Sequence, residues 1–291
     1  MARLTVCSSH AIPPRPGSPE WPLPPMPEIW DAWDEARSII DAFDPELVVY
    51  FGIDHRRAFR TVIPSVAVAL AATAGGDRDG PVGRYSVPGD RARELAQWMS
   101  DGDIDVAVAH DVVLDHGFGH SARDLLGGID RRPIVPIFLN SASPPAPSFR
   151  RSAAIGDRVG AFFDARPERV LFVGTGGLTH DLPGFYPPDD GAVLSEDERI
   201  ELYGRLNREL RVPGLAFGPE WDRAFLAGIT TTDREWIDDV GTDVARRGGN
   251  GANEAVSWVA AWAAGRAPLR VLAHRFDAEF SNGAAVAVSS E

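Results

Sequence analysis

The sequence predicts an α/β fold, a single domain over residues 1–291 with a central mixed β-sheet flanked by helices and a metal site at strand ends. The first observation behind this prediction is that short apolar runs alternate with segments whose apolar residues recur at helical spacing. The second is the composition, since 44% hydrophobic and 24% charged residues are typical of a globular protein with a sizeable core. The third is that neither a repeat nor a clear linker divides the chain.

The N-terminal part begins with a predicted strand over residues 3–9, "RLTVCSS". A Pro-rich loop over 12–27 follows, because its prolines remove backbone donors and fix φ. Residues 28–43 form a predicted amphipathic helix, with apolar residues every three or four positions. The run "PELVVYFGI" at 45–53 is apolar almost throughout, as are strands that are buried on both faces of an α/β sheet.

The alternation continues along the rest of the chain. Further strands are predicted over 105–110, 132–140 and 169–174, and further helices over 92–100, 152–165, 195–210 and 253–265. Ser195 and Glu198 have the spacing of a capping box at the start of one of these helices. In the last helix, Asn253 is the expected N-cap and Gly265 the residue beyond its end.

Charge and cysteine content exclude several classes of protein. The net charge of -13 argues against nucleic-acid binding through the whole surface, which needs basic patches. No apolar run approaches the ~20 residues of a transmembrane helix, so no membrane partner is expected. Without the basic and apolar regions of a secretory signal, we expect a cytoplasmic protein. The single cysteine, Cys7, excludes an internal disulfide and lies in a predicted strand, which favours a core position over a nucleophile.

Four of the seven histidines come just after strand-like runs, where α/β proteins usually bind their ligands. These are His10, His55, His116 and His180. Any one of them alone is most simply a hydrogen-bonded structural histidine, but four at equivalent positions indicate one shared site. Imidazoles bind iron, zinc, copper and nickel, so the pattern favours a metal centre. A site with two histidines and one carboxylate also needs an acid, which spacing alone does not identify.

The remaining histidines, His110, His120 and His274, are interpreted as structural. His116 and His120 are four residues apart, but Gly117 and Gly119 disfavour a helix there. The motif "GTGGLTH" at 174–180 lacks the register and the lysine of a phosphate loop, so it is interpreted as a tight strand-exit turn. No G-x-S-x-G elbow supports a serine hydrolase.

Several stretches together resemble one family. "CSSH", "DPELVVYFGIDH", "LDHGFGHSARDLLGG", "PIVPIFLN", "RVLFVGTGGLTH", "EWDRAF" and "ANEAVSWVAAWAA" occur in the order seen in class III extradiol ring-cleavage dioxygenases. The similarity extends from about residue 3 to about residue 265 and more weakly through the tail. The sequence is thus similar to an enzyme family that opens a catechol ring beside its two hydroxyl groups.

The resemblance implies a mononuclear Fe(II) held by His10, His55 and Glu254, with His116 and His180 as acid–base histidines. It also implies a small aromatic diol and O2 as substrates and a homo-oligomer that needs no separate small subunit. Without it, a helix-capping role would be preferred for Glu254.

Three aspartates, Asp54, Asp115 and Asp222, are candidates for orienting the histidines, although surface solvation explains Asp222 equally well.

The sequence leaves alternatives open for the substrate and for the enzyme class. Arg56, Arg57 and Arg60 follow His55 in an otherwise acidic chain. Two interpretations are open: one of these arginines pairs with a carboxylate of the substrate, or all three are surface charges. The Pro-rich loop covers the site or lies elsewhere. A zinc-dependent hydrolase and a metal-free binding protein are the rival functions, and the joint presence of both acid–base histidines with the three ligands weighs against the latter.

Overall fold

Four parallel strands form the centre of the main sheet in the computed structural model, which describes residues 2–10, 26–59, 61–141, 143, 145–181, 198 and 217–289. β1 (Arg3–Ser8) and β2 (Leu47–Gly52) flank β9 (Val170–Thr175), and β8 (Ile134–Leu139) lies beyond β2. All four are apolar and almost wholly buried, as parallel strands covered on both faces must be. Because β1, β9 and β2 are parallel, their carboxyl ends meet at one edge of the sheet.

Antiparallel strands extend this centre on both sides, so the sheet is mixed. The order of its eight strands is β10-β11-β1-β9-β2-β8-β3-β6, with β3 over Val66–Ala69, β6 over Ala107–Ala109, β10 over Leu269–Asp277 and β11 over Asn282–Ser289. A second sheet has the order β5-β4-β7, with β4 over Ala72–Gly75, β5 over Val82–Arg84 and β7 over Val112–Leu114. The predicted fold class, an α/β domain with a mixed sheet, is confirmed.

Helices cover both faces of the main sheet. They are α1 Pro27–Phe43, α2 Gly89–Ser100, α3 His116–Leu126, α4 Phe149–Phe162, α5 Glu220–Ile229, α6 Trp236–Val240, α7 Val244–Gly248 and α8 Val256–Gly265. One core joins α2, α4, α5 and α8 to the sheet, and a second joins α1 and α3 to its other face. α4 and α8 approach closely because Gly160 has no side chain: a Cβ there would lie 2.6 Å from the carbonyl oxygen of Ala264.

Most predicted elements within the described residues are present, with shifts of a few residues at their ends. The late helix differs: Asn253 is not its N-cap, since a 3₁₀ turn over Asn250–Ala255 precedes α8 and the Asn253 side chain donates to the Asn250 carbonyl. Gly265 is still helical, and Arg266 ends α8 with a positive φ of 60°. The Pro-rich loop up to residue 25 and the predicted helix over 195–210, apart from residue 198, lie outside the described residues.

A helix that began at His116 was disfavoured by Gly117 and Gly119, and that expectation was wrong. The Asp115 side chain caps α3 by accepting the amide hydrogen of Gly117 at 2.8 Å. Both glycines also lie where a side chain does not fit, against Ile53 and Pro81. The cap and the packing thus outweigh a cost of about 1 kcal/mol for each helical glycine.

Among the helices that the structure describes, none combines the length and the apolar character needed to cross a membrane.

Candidate metal centre

The first two histidines of the site lie beyond the carboxyl ends of neighbouring parallel strands. His10 comes two residues after β1 and His55 three residues after β2, and both are buried. β9 lies between these strands, so the two side chains converge across its end, with ring centroids 5.4 Å apart. This edge is where ligands bind in α/β sheets.

Glu254 reaches the same point from the 3₁₀ turn before α8. Its Oε2 is 3.5 Å from His10 Nε2, and its Oε1 is 3.3 Å from His55 Nε2. The amide of Gly177 donates to Oε2 at 2.6 Å, which fixes the carboxylate from behind. The turn preceding the helix, rather than its first helical turn, therefore positions this acid.

The charges of this trio are complementary to a cation. Burial alone would raise the pKa of Glu254, but the imidazoles of His10, His180 and His55 outweigh it and hold that pKa well below its usual range. Burial lowers the pKa of His10 to about 3. At neutral pH the site thus presents an ionised carboxylate and a neutral imidazole, the forms in which these side chains bind metals.

The donor set fits a divalent metal ion. Glu254 Oε1 is buried, and within the described part of the chain it accepts no hydrogen bond, although it faces the Nε2 atoms of His55 and His180. A cation between the carboxylate and the imidazoles would satisfy this oxygen. Ligand atoms of His10, His55 and His116 also lie within 4.8 Å of one another. Asp77, Asp115 and His116 form a second such group, and Glu254 adds to the imidazoles of His10 and His55 a carboxylate within 3.5 Å of both.

The two further predicted histidines border the trio. His116 begins α3, and its ring stacks on that of His55 with centroids 4.2 Å apart and an interplanar angle of 12°. His180 Nε2 is 3.7 Å from Glu254 Oε1, and His180 Nδ1 donates to the Leu178 carbonyl at 2.8 Å. All four strand-end histidines thus share one site with Glu254.

A sequence model of the catalytic LigB subunit of aromatic ring-opening dioxygenases matches residues 7–288. The chain belongs to this family. The present chain is 37% identical over 249 residues, 79% of each chain, to a protein of Cupriavidus pinatubonensis (strain JMP 134 / LMG 1197). That protein is named 2,3-dihydroxyphenylpropionate/2,3-dihydroxicinnamic acid 1,2-dioxygenase. A protein of Rhodococcus rhodochrous with the same name is 35% identical over 292 residues, 92% of this chain and 90% of that one.

A solved structure shares the fold of the dioxygenase. An uncharacterized protein from Escherichia coli K12 matches with a TM-score of 0.61 and 13% identity over 99% of both chains. The predicted family and enzyme class, a ring-cleaving dioxygenase, are confirmed by the family match and the names of the relatives. Enzymes of this family depend on a metal, in agreement with the donor set described above.

Side chains around the dioxygenase site orient the ligand candidates. Asp115 Oδ2 is 3.1 Å from His55 Nδ1 and accepts the His55 amide at 2.7 Å, which leaves His55 Nε2 directed at Glu254. His10 Nδ1 lies 3.2 Å from Thr175 Oγ1. Hydrogen bonds of this kind fix the ring orientation of metal-binding histidines. Thr175 had no signal in the sequence beyond its place at the end of β9.

The glycines of "GTGGLTH" give the backbone close access to the site. A Cβ on Gly176 would lie 2.6 Å from the carbonyl oxygen of Glu254, and a Cβ on Gly177 would overlap the His180 ring. This geometry agrees with the interpretation of the motif as a strand-exit turn instead of a phosphate loop.

Asp222 is completely buried, so surface solvation does not explain it. It accepts the amide of Thr179 at 2.8 Å through Oδ1, and its Oδ2 lies 3.0 Å from His274 Nε2. Asp222 and His274 together hold the turn that carries His180.

Asp54 is buried after β2, and its carboxyl accepts the amide hydrogens of Arg57, Ala58 and Phe59. Burial outweighs these hydrogen bonds and raises the pKa of Asp54 to about 7.

His120 agrees with its structural interpretation, because its Nε2 donates to the Arg78 carbonyl at 2.8 Å. Burial lowers the pKa of His120 to about 4. His110 is exposed, and Arg60 lies outside the described residues.

The sequence analysis did not identify Asp77, whose Oδ2 is 2.6 Å from His116 Nδ1. Its only signal in the sequence was its place in the turn-forming run "GGDRDG".

Proposed function

We propose that the chain is an Fe(II)-dependent extradiol dioxygenase that cleaves a substituted catechol with O2, in the catabolism of aromatic compounds. The observation that carries the proposal is the convergence of His10, His55 and Glu254 on one buried point. Two imidazoles and a carboxylate are the ligand set of non-haem Fe(II) oxygenases, with positions left open for substrate. The names of the relatives support a 2,3-dihydroxyphenylpropionate-type substrate.

His10, His55 and Glu254 would hold the iron. The bound iron would coordinate the two catechol oxygens and bring the ring and O2 into electronic contact. The protein supplies the proton transfers. His180 donates its Nδ1 hydrogen to the Leu178 carbonyl, so in the neutral ring the free lone pair is on Nε2, the nitrogen that faces the site. We assign to it the acceptance of a phenolic proton and to His116 the second acid–base role.

We further propose that Arg57 gives the site a preference for catechols that carry a carboxylate. Burial raises the pKa of Asp77, a contact of His116, and the positive charge of Arg57 acts on that pKa in the opposite direction, which indicates that Arg57 lies near this carboxyl. A guanidinium suits the carboxylate of a propionate side chain. Replacing Arg57 by Ala should raise KM for dihydroxyphenylpropionate and leave KM for plain catechol unchanged. Equal effects on both substrates would refute this role.

The main test is anaerobic reconstitution with Fe(II), followed by oxygen uptake with dihydroxyphenylpropionate, protocatechuate, catechol and 2-aminophenol. The yellow ring-cleavage product is followed by absorbance. His180→Ala should lower kcat about 10²- to 10⁴-fold, the contribution of a positioned acid–base group. His110→Ala is the matched control, because His110 is exposed and follows β6, the edge strand that β8 and β3 separate from β2.

Two outcomes would contradict the proposal. Activity that requires zinc and no O2 would indicate a hydrolase, and failure to bind iron would indicate a binding protein. A homo-oligomer, a cytoplasmic location and one catalytic domain over 1–291 remain proposals, to be tested by light scattering, cell fractionation and limited proteolysis.

A further inference from the structure

We propose that Asp77 is a positioning residue of the dioxygenase, which holds His116 in the tautomer that has its proton on Nδ1 and its lone pair on Nε2. The inference rests on the proposed function, because it takes His116 to be an acid–base histidine. It adds a residue that neither the family motifs in the sequence nor the names of the relatives point to.

The contact between the two side chains carries the argument. Asp77 Oδ2 is 2.6 Å from His116 Nδ1, within the range of a charge-assisted hydrogen bond. The His116 side chain is 3% exposed and that of Asp77 17%, so water competes little for this bond. Burial and the charge of Asp115 raise the pKa of Asp77; whenever this carboxyl is ionised it can only accept a hydrogen bond, so Nδ1 carries the proton.

The backbone that presents Asp77 is strained. Gly76, Arg78 and Asp79 have φ values of 74°, 51° and 57°, in the left-handed region that residues other than glycine seldom adopt. Helix α3 holds this turn in place: His120 donates to the Arg78 carbonyl and Arg123 to the Asp79 carbonyl, both at 2.8 Å. Strain of this kind persists where the surroundings fix it, and it is concentrated at functional sites.

Capping alone does not account for the contact of Asp77 with His116 Nδ1. Asp115 caps α3 through the Gly117 amide, and Asp77 acts on both the backbone amide and the side chain of His116, the first residue of the helix. The stacking of His116 on His55 fixes the plane of the His116 ring, and the Asp77 carboxylate fixes which edge of the ring faces away from the site. The two contacts together define the direction of Nε2.

The proton balance of the step follows from this geometry. When His116 acts as a base, an N–H bond forms at Nε2 as the O–H bond of the substrate hydroxyl breaks. Nδ1 keeps its hydrogen bond to Asp77, and the imidazolium is then paired with a carboxylate. When His116 returns the proton, the ring regains the same neutral tautomer. The Asp–His arrangement is thus equivalent in role to the acid that orients the base in hydrolytic triads.

The direct test is nitrogen NMR of the full chain with ¹⁵N-labelled histidine, metal-free and with Zn(II) bound as a diamagnetic probe. The His116 signals are assigned by their loss in His116→Gln. We expect a protonated Nδ1 and an unprotonated Nε2. The opposite tautomer in the wild-type chain would overturn the proposal, and this readout needs neither turnover nor a variant of Asp77.

Asp77→Asn provides the second test. The amide group keeps the shape but donates a hydrogen bond to Nδ1, so the tautomer should reverse and kcat of the Fe(II) enzyme should fall about 100-fold or more. KM should stay within about threefold of wild type, because substrate binding is not removed. Asp79→Asn is the matched control: it is the same substitution in the same turn, on an exposed side chain, and should change neither readout.

An Asp77→Asn enzyme with an unchanged His116 tautomer and kcat would refute the role of Asp77. Partial recovery of kcat in Asp77→Glu, which restores a carboxylate, would support it. If the wild-type chain cleaves no catechol, the proposed function fails, but the tautomer measurement still decides whether Asp77 controls His116.

Discussion

Gly176→Ala tests whether the close approach of β9 to Glu254 sets the metal site. The added Cβ would lie 2.6 Å from the Glu254 carbonyl oxygen, whereas ordinary contacts begin at 3.4 Å. The backbone of Glu254 or of the strand exit must therefore move by about 0.8 Å, the difference between these distances. Packed interiors transmit such a shift, and a displacement of about 1 Å in an active site can cost about 10²-fold in rate.

We expect Gly176→Ala to weaken metal affinity about 10- to 100-fold, as changes around metal ligands do, and to lower kcat with it. Metal affinity is measured by calorimetric titration, and kcat by oxygen uptake at saturating Fe(II). Gly160→Ala is the matched control, since its Cβ would also lie 2.6 Å from a backbone carbonyl oxygen, that of Ala264. Both variants should lose about 1–3 kcal/mol of unfolding free energy through overpacking. Equal metal affinity and kcat in the two would refute the reasoning.

Three further changes have defined outcomes. Glu254→Gln removes the negative charge of the proposed third ligand and should abolish tight metal binding in titrations, while circular dichroism should show that the metal-free fold is retained. Asp222→Ala leaves the Thr179 amide and His274 without their buried acceptor and should cost about 1–3 kcal/mol in urea unfolding. Burial lowers the pKa of His120 from 6.5 to about 4 on folding, so the metal-free chain should lose about 1.4 kcal/mol of stability per pH unit from this group as pH falls between those values. His120→Gln should flatten that part of the stability curve, and an unchanged slope would contradict the assignment.

Local patterns in the sequence were sufficient to predict the strand-end histidines. The strands before His10, His55 and His180 are long apolar runs, and parallel strands necessarily bring their ends together. Glu254 could be predicted only from the family resemblance, because one acid among 42 carries no local signal.

Asp77 depends on long-range structure that the sequence pattern did not reveal. It follows β4, one of three strands of only three or four residues in the second sheet, too short for a periodic signal. Its contact with His116 spans 39 positions in the sequence. The start of α3 was missed for a different reason: propensity disfavours Gly117 and Gly119 there, but packing against Ile53 and Pro81 requires them.

The position of β1 has a consequence for how the enzyme is made. This N-terminal strand lies between β9 and β11, which are synthesised more than 160 residues later. Contacts between residues so distant in sequence form only after a long loop has closed, and the entropy lost in closing it slows folding. His10 can therefore contact Thr175 only after 165 further residues have been synthesised, and Glu254 follows Thr175 in the chain. We expect the metal ion to bind after these distant segments have folded together and not while the first of them is emerging.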